Sequence, residues 1–159
     1  MLVKQNSKPI KILVLGAGMV GRAIALDLSK DYSVTSVDID PEQLNLLSNK
    51  GIQTKQANLS DSGIISELVE NQDIAVSCVP GFMGFNLLKQ LIKLGVNTVD
   101  ISFMPEDYLE LDQLAKEHGV TAITDCGVAP GMPNLSRISE QTHESLGFLL
   151  HGWRTTNGA

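Results

Sequence analysis

Basic residues are scarce. The chain of 159 residues carries 12 Lys and Arg against 18 Asp and Glu, a formal net charge of −6, and its isoelectric point is about 4.9. No basic stripe gathers anywhere, which argues against nucleic acid as a partner. Without a positive surface to steer phosphates, any phosphate site must be built from backbone N–H groups and helix ends; otherwise the acidic surplus is a solubilising surface. Long apolar runs are lacking too. None approaches the roughly 18 residues that a membrane span needs. The opening MLVKQNSKPI holds neither an apolar core nor a small-residue cleavage site, so neither signal peptide nor membrane partner is expected. Only two cysteines are present, Cys78 and Cys126. They lie too far apart to suggest a disulfide framework and fit a reducing, cytoplasmic setting. The three histidines, His118, His143 and His151, have no metal-ligand spacing, and no Ser-His-Asp arrangement can be argued. No metal site is expected, and His118, near a helix C-terminus, is simply a good partner for the dipole. There is no internal repeat and no low-complexity tract.

What is present is a globular composition, 43% apolar and 19% charged, enough for one domain with a full core and too little for two ordinary ones. Residues 10–15 are an apolar run broken only by Lys11, as in a central parallel strand covered on both faces. Helical spacing follows over 19–30, and a β-branched stretch over 33–37. Asp40 and Pro41 then open a second helix as N-cap and first position. Residues 52–57 read as a more polar edge strand. A helix capped by Ser60-Asp61-Ser62 leads to a strand over 74–79. A helix marked by Leu87, Leu88, Leu91 and Ile92, a strand over 96–101, a helix over 106–118 and a sixth strand over 120–124 complete the alternation. Strands and helices in strict alternation predict an α/β fold: a doubly wound parallel sheet of the Rossmann type, in strand order 3-2-1-4-5-6.

The turn after the first strand reads Gly16-Ala17-Gly18-Met19-Val20-Gly21, a G-x-G-x-x-G placed between a strand and a helix. Gly16 permits the tight turn, Gly18 keeps no side chain in the way of a phosphate, and Gly21 lets the helix pack closely on the strand. The same three glycines also suit a tight turn without ligand. The other strands of a parallel sheet bring their C-terminal ends to the same edge. Asp38 follows the second strand, about 20 residues beyond the fingerprint, where a carboxylate accepts hydrogen bonds from the adenosine ribose. It would repel a 2′-phosphate, and Ile39 offers no positive charge, so NAD is expected over NADP. The bland alternative is that residues 38–41 are only a turn and a helix cap. Asn58 follows the third strand. Cys78-Val79-Pro80-Gly81 follows the fourth and would pass beside the nicotinamide ribose, or else merely end the strand. Cys78 reads better as a small packing group than as a nucleophile, with no base beside it. Asp100 and Asp125 end the fifth and sixth strands. Each is either an acid–base group or a cap of the next turn, and Asp125 is the candidate catalytic residue.

The strings VLGAGMVGRAIALDL, SCVPGFMGFNLL, VDISFMPED and DCGVAPGMPNL together resemble the saccharopine dehydrogenase family, and within it the lysine 6-dehydrogenase-like branch. The resemblance covers residues 10–135. It implies an NAD(P)-dependent oxidoreductase acting on C–N bonds of amino acids through an imine. Gly16, Gly18, Gly21 and Asp38 would bind the cofactor, Cys78 to Pro80 would flank it, and Asp125 would stand near the substrate. Relatives continue into a second α/β domain that holds the substrate. The expected division here is a dinucleotide-binding domain over 1–134 and a helical or irregular tail over 135–159, with a helix over 135–146 and no substrate domain. Dinucleotide binding with little turnover is the expectation, and a dimer or partner chain would suit an exposed substrate-facing edge. A function of another class is a non-catalytic NAD-sensing regulatory domain, which would share the opening residues.

Overall fold

The computed structural model describes residues 8–126. Five helices and six strands alternate along this stretch: β1 (Lys11–Leu15), α1 (Met19–Leu28), β2 (Ser33–Asp38), α2 (Pro41–Ser48), β3 (Gln53–Gln56), α3 (Ser62–Val69), β4 (Ile74–Ser77), α4 (Gly81–Lys93), β5 (Asn97–Asp100), α5 (Asp112–His118) and β6 (Ala122–Ile123), with a 3₁₀ turn, Tyr108–Leu111, leading into α5. All pairings are parallel, in the order β3-β2-β1-β4-β5-β6, as expected from the sequence.

Alternation along β1 decides which helices lie on which face. Leu13 and Leu15 point with Val37 and Ala75 toward Ile65 and Leu68 of α3 and Leu87 and Leu91 of α4. Ile12 and Val14 point the other way, with Val34 and Val76, toward Ala25 of α1 and Leu44 and Leu47 of α2. A smaller cluster joins Leu88 and Ile92 of α4 to Leu111, Ala115, Val120 and Ala122, seating α5 beside α4. β1 is therefore buried on both faces from Ile12 on, which is why Ile12 to Leu15 is an unbroken apolar run after Lys11. β3, at the edge, has no fully buried residue.

β3 to β6 are shorter than their sequence-based bounds, β6 most of all at Ala122–Ile123, and two helices differ in a way that matters for the site. α4 starts at Gly81, directly after Pro80, so the Pro-Gly pair is a strand-to-helix joint and not only a strand terminator. Its first turn escapes a periodicity reading because Gly84 is buried while Phe82 is exposed. The expected helix over 106–118 divides into the 3₁₀ turn and α5; the Asp107 side chain accepts from the Leu109 N–H and caps the first piece. The expected helix over 135–146, the tail over 147–159 and the domain boundary at 134 lie outside the described residues. Among those described, no helix is long and apolar enough to cross a membrane.

Candidate functional site

The carboxyl ends of the strands border a cleft of about 740 Å³, at the place where strand order reverses between β1 and β4. On one side stand the glycine turn, Asp38 and Ile39, and the segment Asn58 to Ser60. On the other stand Cys78 to Pro80, Phe82 and Met83, and Ile101 to Phe103.

The three glycines of the turn do different things. Gly16 has φ +107°, and a Cβ there would lie 2.6 Å from the Cys78 carbonyl oxygen. A Cβ on Gly21 would lie 2.0 Å from the Gly16 carbonyl oxygen. Both are demanded by the chain's own packing, with or without a ligand. Gly18 is not. Its φ is −60°, and nothing lies within 4 Å of where its Cβ would be. The space that a side chain would fill is open and borders the cleft. Gly18 is also the N-cap of α1, with no side chain capping it. The first amide to reach back into the helix is that of Arg22, to the Gly18 carbonyl at 2.9 Å. The N–H groups of Met19, Val20 and Gly21 belong to the first turn, which has no intrahelical acceptor. Donors, dipole and free space coincide, and the group that fits them is an anion such as a pyrophosphate.

Asp38 ends β2 beside this turn. Its Oδ2 accepts from the Ala17 N–H at 2.5 Å, and its Oδ1 accepts from the Asp40 N–H at 2.9 Å. The carboxylate thus braces both the glycine turn and the entry to α2. Asp40 is the N-cap of α2, accepting from the Glu42 N–H at 2.8 Å, with Pro41 at the first position. The helix cap is Asp40; Asp38 makes the turn before it, through the Asp40 N–H, and also borders the cleft. Lone pairs remain on each Asp38 oxygen. Ala17 is fully buried and does not line the cleft, and its N–H is held by Asp38. No Lys or Arg lines it either; the Arg22 guanidinium hydrogen-bonds the Gln43 side chain instead.

The other side is assembled from three strand ends. Cys78 to Pro80 join β4 to α4. Burial, and then the Asp100 charge, push the Cys78 thiol up to about 12, which leaves it protonated and suits the packing role. Asp100, at the end of β5, is fully buried. Its Oδ1 accepts from the Ser102 N–H at 2.8 Å and the Ser102 hydroxyl at 2.5 Å. Burial raises its pKa above the ordinary carboxylate value, against the lowering effect of its hydroxyl neighbours, with Asp125 adding a smaller push upward. Asp125 follows β6 at φ +58° and does not line the cleft. It sits near Tyr108, whose phenol is raised first by burial and then by Asp125. Cys126 is raised likewise, by burial and then by Asp100 and Asp125. Its neighbours in the D-x-G-x-x-P-G string, from Gly127 on, lie outside the described residues, as do His143 and His151.

Of the residues expected at the site, Gly16, Gly18, Met19, Val20, Gly21, Asp38, Cys78, Val79 and Pro80 line one cleft. Ala17 and Asp125 do not. Phe82, Met83, Leu59, Ser60 and Phe103 were not singled out by sequence and do line it. The signal that could have found Phe82 is its place off the buried stripe of α4; Met19, Phe82 and Phe103 are 83%, 75% and 74% exposed. Among the described residues no group of three or more His, Cys, Asp or Glu is placed to hold a metal ion.

Residues 12–123 match the family described as the saccharopine dehydrogenase NADP binding domain. The meso-diaminopimelate D-dehydrogenase of Bacteroides fragilis is 28% identical over 138 residues, 82% of this chain and 43% of that protein. The NADP(+), L-glutamate-forming saccharopine dehydrogenase of Pyricularia oryzae is 29% identical over 143 residues, 86% of this chain and 31% of that one. Among solved structures, the apo L-Glu-forming saccharopine dehydrogenase from Saccharomyces cerevisiae superposes with a TM-score of 0.74 at 21% identity. That overlap covers 82% of this chain and 30% of the yeast chain. The chain spans less than half the length of these relatives.

Proposed function

The chain belongs to the saccharopine dehydrogenase family through its NADP-binding domain, and on that premise we propose that it is the cofactor-binding part of an oxidoreductase acting on a C–N bond of an amino acid. The observation that carries the proposal is Gly18: an open side-chain position over three unpaired N–H groups, next to Asp38, in the same cleft. The N–H groups of Met19, Val20 and Gly21 bind the pyrophosphate, and Asp38 uses its remaining lone pairs for the adenosine ribose hydroxyls. The nicotinamide end then lies toward Val79, Pro80 and Ser102, with Phe82 and Phe103 excluding water. The bound dinucleotide supplies a hydride acceptor or donor at its ring. The chain contributes position and electrostatics.

The cofactor is NAD in preference to NADP. The family takes its description from NADP, but a 2′-phosphate here would meet the Asp38 carboxylate and the Ile39 side chain, with no Lys or Arg lining the cleft. The amino-acid substrate approaches the β4–β6 side, where Asp125 is the group proposed to handle the amine proton. Residues that hold the rest of the substrate come from outside the dinucleotide-binding domain.

Calorimetric titration of the full chain with NAD, NADP and their reduced forms tests this. Saturable binding, tighter for NAD, is expected; binding of none of the four overturns the proposal. Efficient oxidation of lysine by the chain alone would overturn the statement that substrate-holding residues lie elsewhere.

A further inference from the structure

We propose that Asp100 is a positioning residue for the dinucleotide site: through Ser102 it sets the wall of the cleft, residues 101–103, against which the nicotinamide end of the cofactor lies. This rests on the dinucleotide reading above and extends it to a residue that does not touch the ligand.

Beyond Asp100 the chain leaves the sheet, and residues 101–107 belong to no regular element until Tyr108. The first three of them line the cleft. Three hydrogen bonds hold them: Ile101 N–H to the Ser77 carbonyl at 3.1 Å, and the Ser102 N–H and hydroxyl to Asp100 Oδ1. From the opposite side α4 presses in. A Cβ on Gly84 would lie 2.0 Å from Ser102 Oγ, and a Cβ on Gly81 would lie 1.9 Å from the Phe103 carbonyl oxygen. Ser102 is therefore seated in a slot between a buried carboxyl group and the first turn of a helix that has been cleared of side chains to receive it.

A contrast within the chain shows that more than a turn is being made. Asp61 and Asp107 accept from the N–H two residues on, as Asp100 does, but both are exposed and both cap a helix. Asp100 caps no helix and is fully buried. Burying a carboxyl group is costly and unnecessary for a turn. Its Oδ2 and the hydroxyl of Ser77, its register partner on β4, both lack a hydrogen-bond partner. Ser77 nevertheless lies near enough to favour the charged form of Asp100. A Ser77 hydroxyl turned toward Oδ2 would complete the bridge and leave Oδ1 to hold Ser102. The groups facing this carboxyl from neighbouring elements are Cys78 at β4 and Asp125 and Cys126 at β6; none is a cation. The buried carboxyl group ties the end of β5 to one wall of the cleft, and the Ile101 N–H ties that wall to the end of β4.

The test separates the two ends of the ligand. The full chain is titrated with NADH, followed by the intensity and emission maximum of nicotinamide fluorescence, and with ADP-ribose, which lacks the ring. Asp100→Ala is expected to weaken NADH by about tenfold or more and to abolish the shift in emission, as misplacing a positioning wall does. ADP-ribose should change by no more than about twofold, since its contacts are distant. Asp100→Asn should restore both NADH readouts, because its amide oxygen still accepts from Ser102. If Asp100→Ala does not fold, Ser102→Ala decides: it keeps the backbone bond and should give a smaller loss of NADH, about threefold, of the same selectivity. Equal losses for both ligands, or a folded variant with unchanged NADH binding, overturns the proposal. Failure of the unaltered chain to bind either ligand overturns the dinucleotide reading and the positioning role with it.

Discussion

The two sides of the cleft are built by opposite means. The side formed by β1, α1, β2 and β3 relies on main chain: a glycine turn, a helix N-terminus and one carboxylate that braces them. The side formed by β4, α4, β5 and β6 relies on side chains, among them Asp100, Ser77, Ser102 and Cys78, most of them buried. A backbone site is coded by neighbours in sequence, because consecutive N–H groups converge on one point. A side-chain site is coded by residues brought together only by folding. The first is general for a phosphate; the second can be tuned to whatever reacts beside it.

The largest expected effect tests the glycines against each other. Gly21→Ala places a methyl group 2.0 Å from the Gly16 carbonyl oxygen, a backbone atom that no rotamer change can move, with Cys78 Cβ behind it at 3.3 Å. It should cost more than about 4 kcal/mol of stability and leave little folded protein, as seen by thermal or urea denaturation. Gly18→Ala meets nothing within 4 Å and should change stability by about 1 kcal/mol or less. It should instead weaken NAD by roughly 10- to 100-fold, or about 1.4 to 2.7 kcal/mol, because the methyl group enters the space proposed for phosphate. A Gly18→Ala protein that binds NAD normally would leave the open position without a ligand to explain it.

This division also explains what could be read in advance. The six strands, their order and the glycine turn were legible because burial on both faces of β1 leaves the apolar run Ile12 to Leu15 and because three glycines at fixed spacing reflect one local geometry. Asp38 was legible by its distance from them, although its bond to the Ala17 N–H was not. The first turn of α4 was hidden, since Gly81 and Gly84 are set by contact with residues 102–104, far away in sequence. Asp100 was visible only as a strand-end aspartate. Its burial, and the use of Oδ1 for Ser102, follow from the parallel register of β4 and β5.

A middle-sized effect sharpens the backbone side. Asp38→Ala removes the ribose acceptor and the brace on Ala17 together. NAD should weaken by about tenfold or somewhat more, in line with the ~1.5–3 kcal/mol of hydrogen bonds to a charged group. NADP should change little or improve, because the repulsion of its 2′-phosphate is gone. The ratio of the two dissociation constants, measured by calorimetry, is the readout. Equal weakening of both cofactors would mean that Asp38 acts only as a brace of the turn and not as a selector.

The smallest effect belongs to the side-chain half and concerns pH. Asp100 has a folded-state pKa above its unfolded value of about 3.8, first through burial. Below the unfolded value both states hold the proton, and the group adds no pH dependence. As pH rises from there toward the folded value, the unfolded chain gives up its proton first. The folded state then binds more protons, and stability falls with pH across that window. Above the folded value the loss is complete and the curve is flat again. Asp100→Asn cannot titrate, so the difference in stability between it and the unaltered chain should grow through the window in favour of Asn and then level off. Urea midpoints measured from pH 4 to neutrality, roughly the range in which such groups titrate, give the difference directly. The neighbouring Cys78 thiol, pushed up to about 12, stays protonated throughout and adds no slope there. A difference of constant size across the series would place the Asp100 carboxyl among the ordinary, solvated aspartates, and the contrast between the two sides of the cleft would lose its electrostatic part.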